Sequence, residues 1–116
     1  MRVGIDITSI ERIAKVYERL GDGFLLKFLR KKELEFLRKT PQSIAGFWAA
    51  KEAAAKALGC GICAKCNFTD IKISKSKKGA PKLEFSKKVK KHFKIKKSNL
   101  SISHDGGFAV AVVVIK

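Results

Sequence analysis

Residues 2–7, RVGIDI, set apolar and β-branched side chains in a short alternating run that predicts a strand. A helix is expected at once after it. Thr8 and Glu11 form a T-x-x-E capping box, and Ile10, Ile13, Ala14, Tyr17 and Leu20 recur at helical spacing until Gly21 supplies a stop. Arg12, Lys15 and Arg19, spaced by three and four, fall on another face of this helix as a cationic stripe. Between residues 23 and 39, Phe24, Leu25, Phe28, Leu29, Leu34, Phe36 and Leu37 interleave with basic residues and predict one or two short helices. Thr40 at the N-cap and Pro41 at the first helical position then open an alanine-rich helix over 41–58, which Gly59 closes.

In the second half, FTDIKIS (68–74) and KLEF (82–85) flank the turn KKGAP and predict a hairpin. Ser86 caps a short lysine-rich helix that carries Val89 and Phe93 inward and ends before Asn99. NLSISH (99–104) passes through the Asp105-Gly106-Gly107 turn into FAVAVVVI (108–115), a second hairpin whose last strand reads as buried. There is no repeat and no interdomain linker. The order of elements predicts one α+β domain over residues 1–116, with a mainly antiparallel sheet packed against helices.

Charge narrows the partners without choosing one. The 26 Lys and Arg against 10 Asp and Glu give a formal charge of +16, a surface that attracts anions. Only five of these cations are Arg, so the forked donor that reads base edges is scarce. The stretch Lys75–Lys97 holds 11 lysines and one acid, Glu84, and reads as a solvated basic face. Phe85 and Phe93 look like core residues, which argues against a stacking platform for single-stranded nucleic acid. A basic RNA- or ribosome-binding module is the rival reading. No apolar run is long enough to span a bilayer and no secretory leader pattern opens the chain, so a cytoplasmic protein without a membrane association is expected.

The cysteines Cys60, Cys63 and Cys66 sit in CGICAKC, whose gaps resemble a ligand run for zinc or an iron–sulfur cluster. No fourth ligand lies near in sequence, so reduced thiols of a cytosolic chain are the simpler reading, with a cysteine-ligated metal as a third alternative. Asp6 ends an apolar strand, where a carboxylate caps the next turn or faces a site. Glu52 is the only acid in SIAGFWAAKEAAAKALG, with Lys56 one turn later. The plain interpretation is a surface i, i+4 pair contributing on the order of a few tenths of a kcal/mol. The sharper one joins Glu52 to Asp6 as two carboxylates for a divalent cation, with Lys56 aimed at phosphates and the Gly59 and Gly61 backbone free to approach an anion. His104, between Ser103 and Asp105, is either a turn residue or a side chain that contacts phosphate or handles a proton, whereas His92 is expected in solvent.

Two segments together, VGIDITSIERI (3–13) and FWAAKEAAAKALGCGI (47–62), resemble the signature motifs of the holo-acyl-carrier-protein synthases, the small 4′-phosphopantetheinyl transferases. DIKISKSKKGAPKLEF (70–85) and LSISHDGGFAVAVVVI (100–115) resemble that family's strand–turn–strand and closing hairpin. The resemblance implies magnesium-dependent transfer of 4′-phosphopantetheine from coenzyme A to a serine of an acidic apo acyl carrier protein, releasing adenosine 3′,5′-bisphosphate and activating the carrier for fatty acid biosynthesis. It implies Asp6 and Glu52 as metal ligands, and Lys56 at the coenzyme A phosphates. Gly59 and Gly61 line the coenzyme, His104 lies near its nucleotide end, and Arg12, Lys15 and Arg19 form the carrier-docking helix. It also implies a homotrimer with active sites at subunit interfaces. The general base is left open among Asp6, Glu52 and a metal-bound water. Two positions depart from the pattern. Phe47 stands where relatives often carry Arg, so another residue, a lysine, is expected to supply one phosphate contact; Cys60 replaces a small hydroxyl residue.

Overall fold

The first strand, β1 (Arg2–Ser9), runs two residues further than its sequence pattern suggests. The computed structural model describes residues 1–116. Ser9, not Thr8, caps the first helix, α1 (Ile10–Leu20), accepting the Arg12 amide at 3.2 Å. Thr8 is buried and its hydroxyl donates to Asp6 Oδ2 at 2.8 Å, so the expected Thr8–Glu11 capping box does not form. The strand wins that residue because it faces inward, in register with Ala109.

α1 leads through Gly21 into α2 (Asp22–Phe28) and then a 3-10 turn, Lys31–Glu35, the short helical elements expected in the 23–39 segment. α3 (Pro41–Ala57) begins as predicted, with Thr40 accepting the Ser43 amide at 3.3 Å. Its row of alanines is buried and lets strands approach closely. Residues Phe68–Asp70 form a 3-10 turn rather than strand, because the Asp70 carboxylate accepts the Asn67 amide and ties the segment into a turn. β2 (Ile71–Lys75) and β3 (Pro81–Phe85) then make the expected hairpin. α4 (Lys87–Phe93), capped by Ser86, buries Val89 and half-buries Phe93.

β4 (Ser98–Asp105) and β5 (Phe108–Ile115) close the chain as an antiparallel hairpin. β5 is central in a three-stranded sheet ordered β1-β5-β4, and β2-β3 is a separate two-stranded sheet. The fold class is therefore α+β and antiparallel as expected, divided between two sheets. Ala109, Ala111, Val113 and Ile115 of β5 face α3 and are buried. Its outer residues Val110, Val112 and Val114 are half-buried beside exposed Val3, Ile5 and Ile7 of β1, so the final strand is covered on one side only within a single chain. Gly4 sets the spacing between β1 and α3: a Cβ there would lie 1.9 Å from the Ala53 carbonyl oxygen.

Candidate active site

That close approach places Asp6 beside the C-terminal half of α3. Lys56 Nζ donates to Asp6 Oδ1 at 2.8 Å, with the Asp6 side chain 12% and the Lys56 side chain 51% exposed. The surface pair Glu52–Lys56 is not formed, because the lysine reaches across 50 residues of sequence to the strand carboxylate instead. Glu52 is left without a salt-bridge partner. Burial pushes its carboxyl above the ordinary range, the Asp6 charge pushes further the same way, and Lys56 pulls back. Two carboxylates and one ammonium thus meet where the edge strand β1 packs on α3, an arrangement that raises the proton affinity of a group at a functional site.

The donor set is two carboxylates, hard oxygen ligands of the type that hold magnesium while leaving positions for water and phosphate. No group of three or more His, Cys, Asp and Glu side chains comes together anywhere in the chain. Residues and metal chemistry fit: a cation bound here would take two ligands from the protein and the rest from outside it. Lys56 serves as the positive charge on Asp6, and its half-exposed stem is long enough to exchange that oxygen for another anion.

The other candidates are spread around this centre. Gly59 and Gly61, at φ of +85° and +65°, form the turn that ends α3, and the Gly61 amide donates to the Ala55 carbonyl at 3.2 Å. His104 pairs with Ala109 across β4-β5, and Ala109 pairs with Thr8. It faces the same side of the sheet as Thr8 but two strands away, roughly 10 Å at ~4.8 Å per strand. The structure therefore does not bring it to the carboxylates within one chain. His104 instead lines a cleft of about 160 Å³ with Ser43, Phe47, Pro81 and Lys75. Arg12, Lys15 and Arg19 are all exposed on α1, with Lys15 paired to Glu11 at 3.3 Å.

Sequence reading missed a second charged pair on α3. Glu33 and Lys51 are wholly buried; Lys51 Nζ donates to Glu33 Oε1 at 2.8 Å and to the Phe68 carbonyl at 2.9 Å. The Arg30 amide donates to Oε1 and the Ile73 amide to Oε2, each at 2.8 Å. Burial pushes the Lys51 ammonium down, against Glu33, which holds it up. The available signal was Lys51 next to Ala49 and Ala50 and one turn before Ala54 and Ala55, where a solvated lysine has no reason to sit among buried neighbours.

A single α+β domain with two neighbouring carboxylates, a half-exposed lysine and a glycine turn at a helix end has the groups that a small phosphate-handling enzyme needs. A family model described as the 4′-phosphopantetheinyl transferase superfamily matches residues 2–113, and the chain belongs to that family. It is 58% identical over 112 residues to the holo-[acyl-carrier-protein] synthase of Aliarcobacter butzleri, covering 97% of this chain and 94% of the relative. It is 58% identical over 115 residues to that of Campylobacter jejuni strain 81116, covering 99% of each. The crystal structure of the Helicobacter pylori holo-[acyl-carrier-protein] synthase in complex with coenzyme A superposes with a TM-score of 0.94 at 49% identity, covering 98% of this chain and 99% of that one. The chain is a transferase of the holo-[acyl-carrier-protein] synthase type.

Proposed function

We propose that the protein transfers 4′-phosphopantetheine from coenzyme A to a serine of an acidic apo acyl carrier protein, releases adenosine 3′,5′-bisphosphate, and so activates the carrier for fatty acid biosynthesis in the cytoplasm. The observation that carries this reading is the meeting of Asp6, Glu52 and Lys56 between β1 and α3. Asp6 and Glu52 would hold magnesium, which when bound neutralises the donor pyrophosphate. Lys56 exchanges Asp6 Oδ1 for a phosphate oxygen and offsets the charge that builds as the bond to the departing nucleotide breaks. The serine oxygen attacks the phosphorus on the pantetheine side, and its proton has the two carboxylates as acceptors on this chain. Gly59 and Gly61 lie along the coenzyme. Lys75, beside Phe47 in the His104 cleft, supplies the phosphate contact that Phe47 does not make.

The assembly is a homotrimer with active sites between subunits. Two features support it: Val3, Ile5 and Ile7 are 58–63% exposed on a continuous apolar sheet face, and the carboxylates and the His104 cleft occupy opposite edges of that sheet. An exposed apolar face of this kind marks association. Arg12, Lys15 and Arg19 on α1 dock and steer the acidic carrier protein. Incubation with coenzyme A, magnesium and apo carrier protein should add the phosphopantetheine mass to the carrier, and Glu52→Ala should abolish this while leaving the circular dichroism spectrum intact. Undiminished turnover in that variant refutes the metal-site assignment; salt-sensitive RNA binding without any carrier modification favours the basic-module reading instead.

A further inference from the structure

Three thiols occupy the loop that leaves α3, and none of them takes part in the chemistry above. We propose that Cys60 and Cys63 are a thiol–disulfide exchange site, forming a reversible disulfide with each other by reaction with a low-molecular-weight disulfide. Their sulfurs are in contact, 2.6 Å apart. Reaching a bond of ~2.05 Å requires a movement of about half an ångström. Cys63 is held by reciprocal backbone hydrogen bonds with Cys66, both 3.0 Å. Cys60 sits in the exposed turn between the two positive-φ glycines, which lets its side chain fold back over the loop.

The three cysteines are chemically unequal. The two thiols titrate as a pair: the hydrogen bond with Cys60 draws Cys63 below the usual thiol range, and burial pushes Cys60 above it. Cys66 is fully buried, and burial pushes its thiol up to about 12, so it stays protonated and unreactive. The Cys63 thiolate attacks one sulfur of the small disulfide, forming a mixed disulfide and expelling one small thiolate. The Cys60 thiolate then attacks the Cys63 sulfur and expels the second. Two protein thiols are oxidised, the small disulfide is reduced to two thiols, and these take the two protons released. An excess of small thiol drives the sequence backwards, as suits a cytosolic exchange site. The new bond closes a ring around Gly61, whose amide is tied to α3; any effect on coenzyme binding rests on the function proposed above, but the bond itself does not.

The test is intact-mass spectrometry and non-reducing peptide mapping of the whole protein incubated with oxidised glutathione. The chain should lose two hydrogens, Cys60 and Cys63 should appear in one linked peptide, and dithiothreitol should restore the starting mass. Cys60→Ser and Cys63→Ser should each stop at a stable single glutathione adduct, whereas Cys66→Ser should behave like the parent. A parent protein that keeps glutathione adducts, remains unmodified, or links either residue to Cys66 overturns the proposal. Because no turnover is measured, failure of the transferase reading would leave this result standing, and the reverse.

Discussion

Two lysine–carboxylate pairs hang from α3, and their difference separates architecture from chemistry. Lys51 and Glu33 are sealed from solvent with every polar atom partnered, joining α3 to the Lys31–Glu35 turn, to Phe68 and to β2. Lys56 and Asp6 share one hydrogen bond at the surface, beside an unpaired Glu52. The residues are five positions apart, about 140° round the helix at ~100° per residue, so they face different neighbours. A buried pair whose polar atoms all bond within its own chain has little left to offer a ligand. A pair with one shared oxygen and a flexible ammonium can change partners.

Cutting each pair should separate them most sharply. Lys51→Met leaves Glu33 buried without its cation and is expected to lower unfolding stability by about 3–5 kcal/mol, measured by urea denaturation. Lys56→Met should change stability by no more than about 1 kcal/mol, because its pair is half exposed, yet reduce turnover by roughly 10²-fold. Equal stability losses for the two would erase the distinction. Replacing both Glu33 and Lys51 with apolar residues of similar volume should recover most of the stability lost in Lys51→Met, since exchanging a whole buried pair is often neutral. No double replacement of Asp6 and Lys56 should recover turnover.

Glu52 gives a smaller, oppositely signed effect. Its folded-state carboxyl lies above its unfolded value, so the native state binds the extra proton and stability falls as pH rises through that interval. Glu52→Gln should therefore raise the denaturation midpoint at neutral pH and remove turnover, the gain vanishing as the pH drops below the unfolded carboxyl value. The smallest change is expected from Arg12→Glu: the Michaelis constant for carrier protein should rise several-fold, with that for coenzyme A nearly constant, as for a charge at an interface rim. Equal rises would argue against docking on α1.

Local signals carried much of this architecture. Thr40, Pro41 and Gly59 bracket α3 by cap chemistry alone, and the Asp105-Gly106-Gly107 turn fixes the last hairpin. The failures arose where distant partners outbid local ones. Thr8 has a good capping pattern, but burial under α3 keeps it in the strand and gives the cap to Ser9. Lys56 has Glu52 at ideal helical spacing and takes Asp6, which only the packing of β1 on α3 brings near. Glu33 follows Arg30, Lys31 and Lys32 with no local sign of burial; its burial depends on three segments closing over it at once. The carboxylates of the site were legible as residues, while their relation to Lys56 was a property of the fold.

β1 writes two instructions in alternate letters. Gly4, Asp6 and Thr8 turn toward α3, with Asp6 bearing the proposed chemistry; Val3, Ile5 and Ile7 turn outward and carry the proposed association. A slip of one residue would exchange the two messages completely. Gly4 forbids it, since any side chain brought to that place strikes the Ala53 carbonyl. The absence of a Cβ at one position is thus a reading-frame lock, and the strand tolerates redesign of either face only as long as that frame is kept.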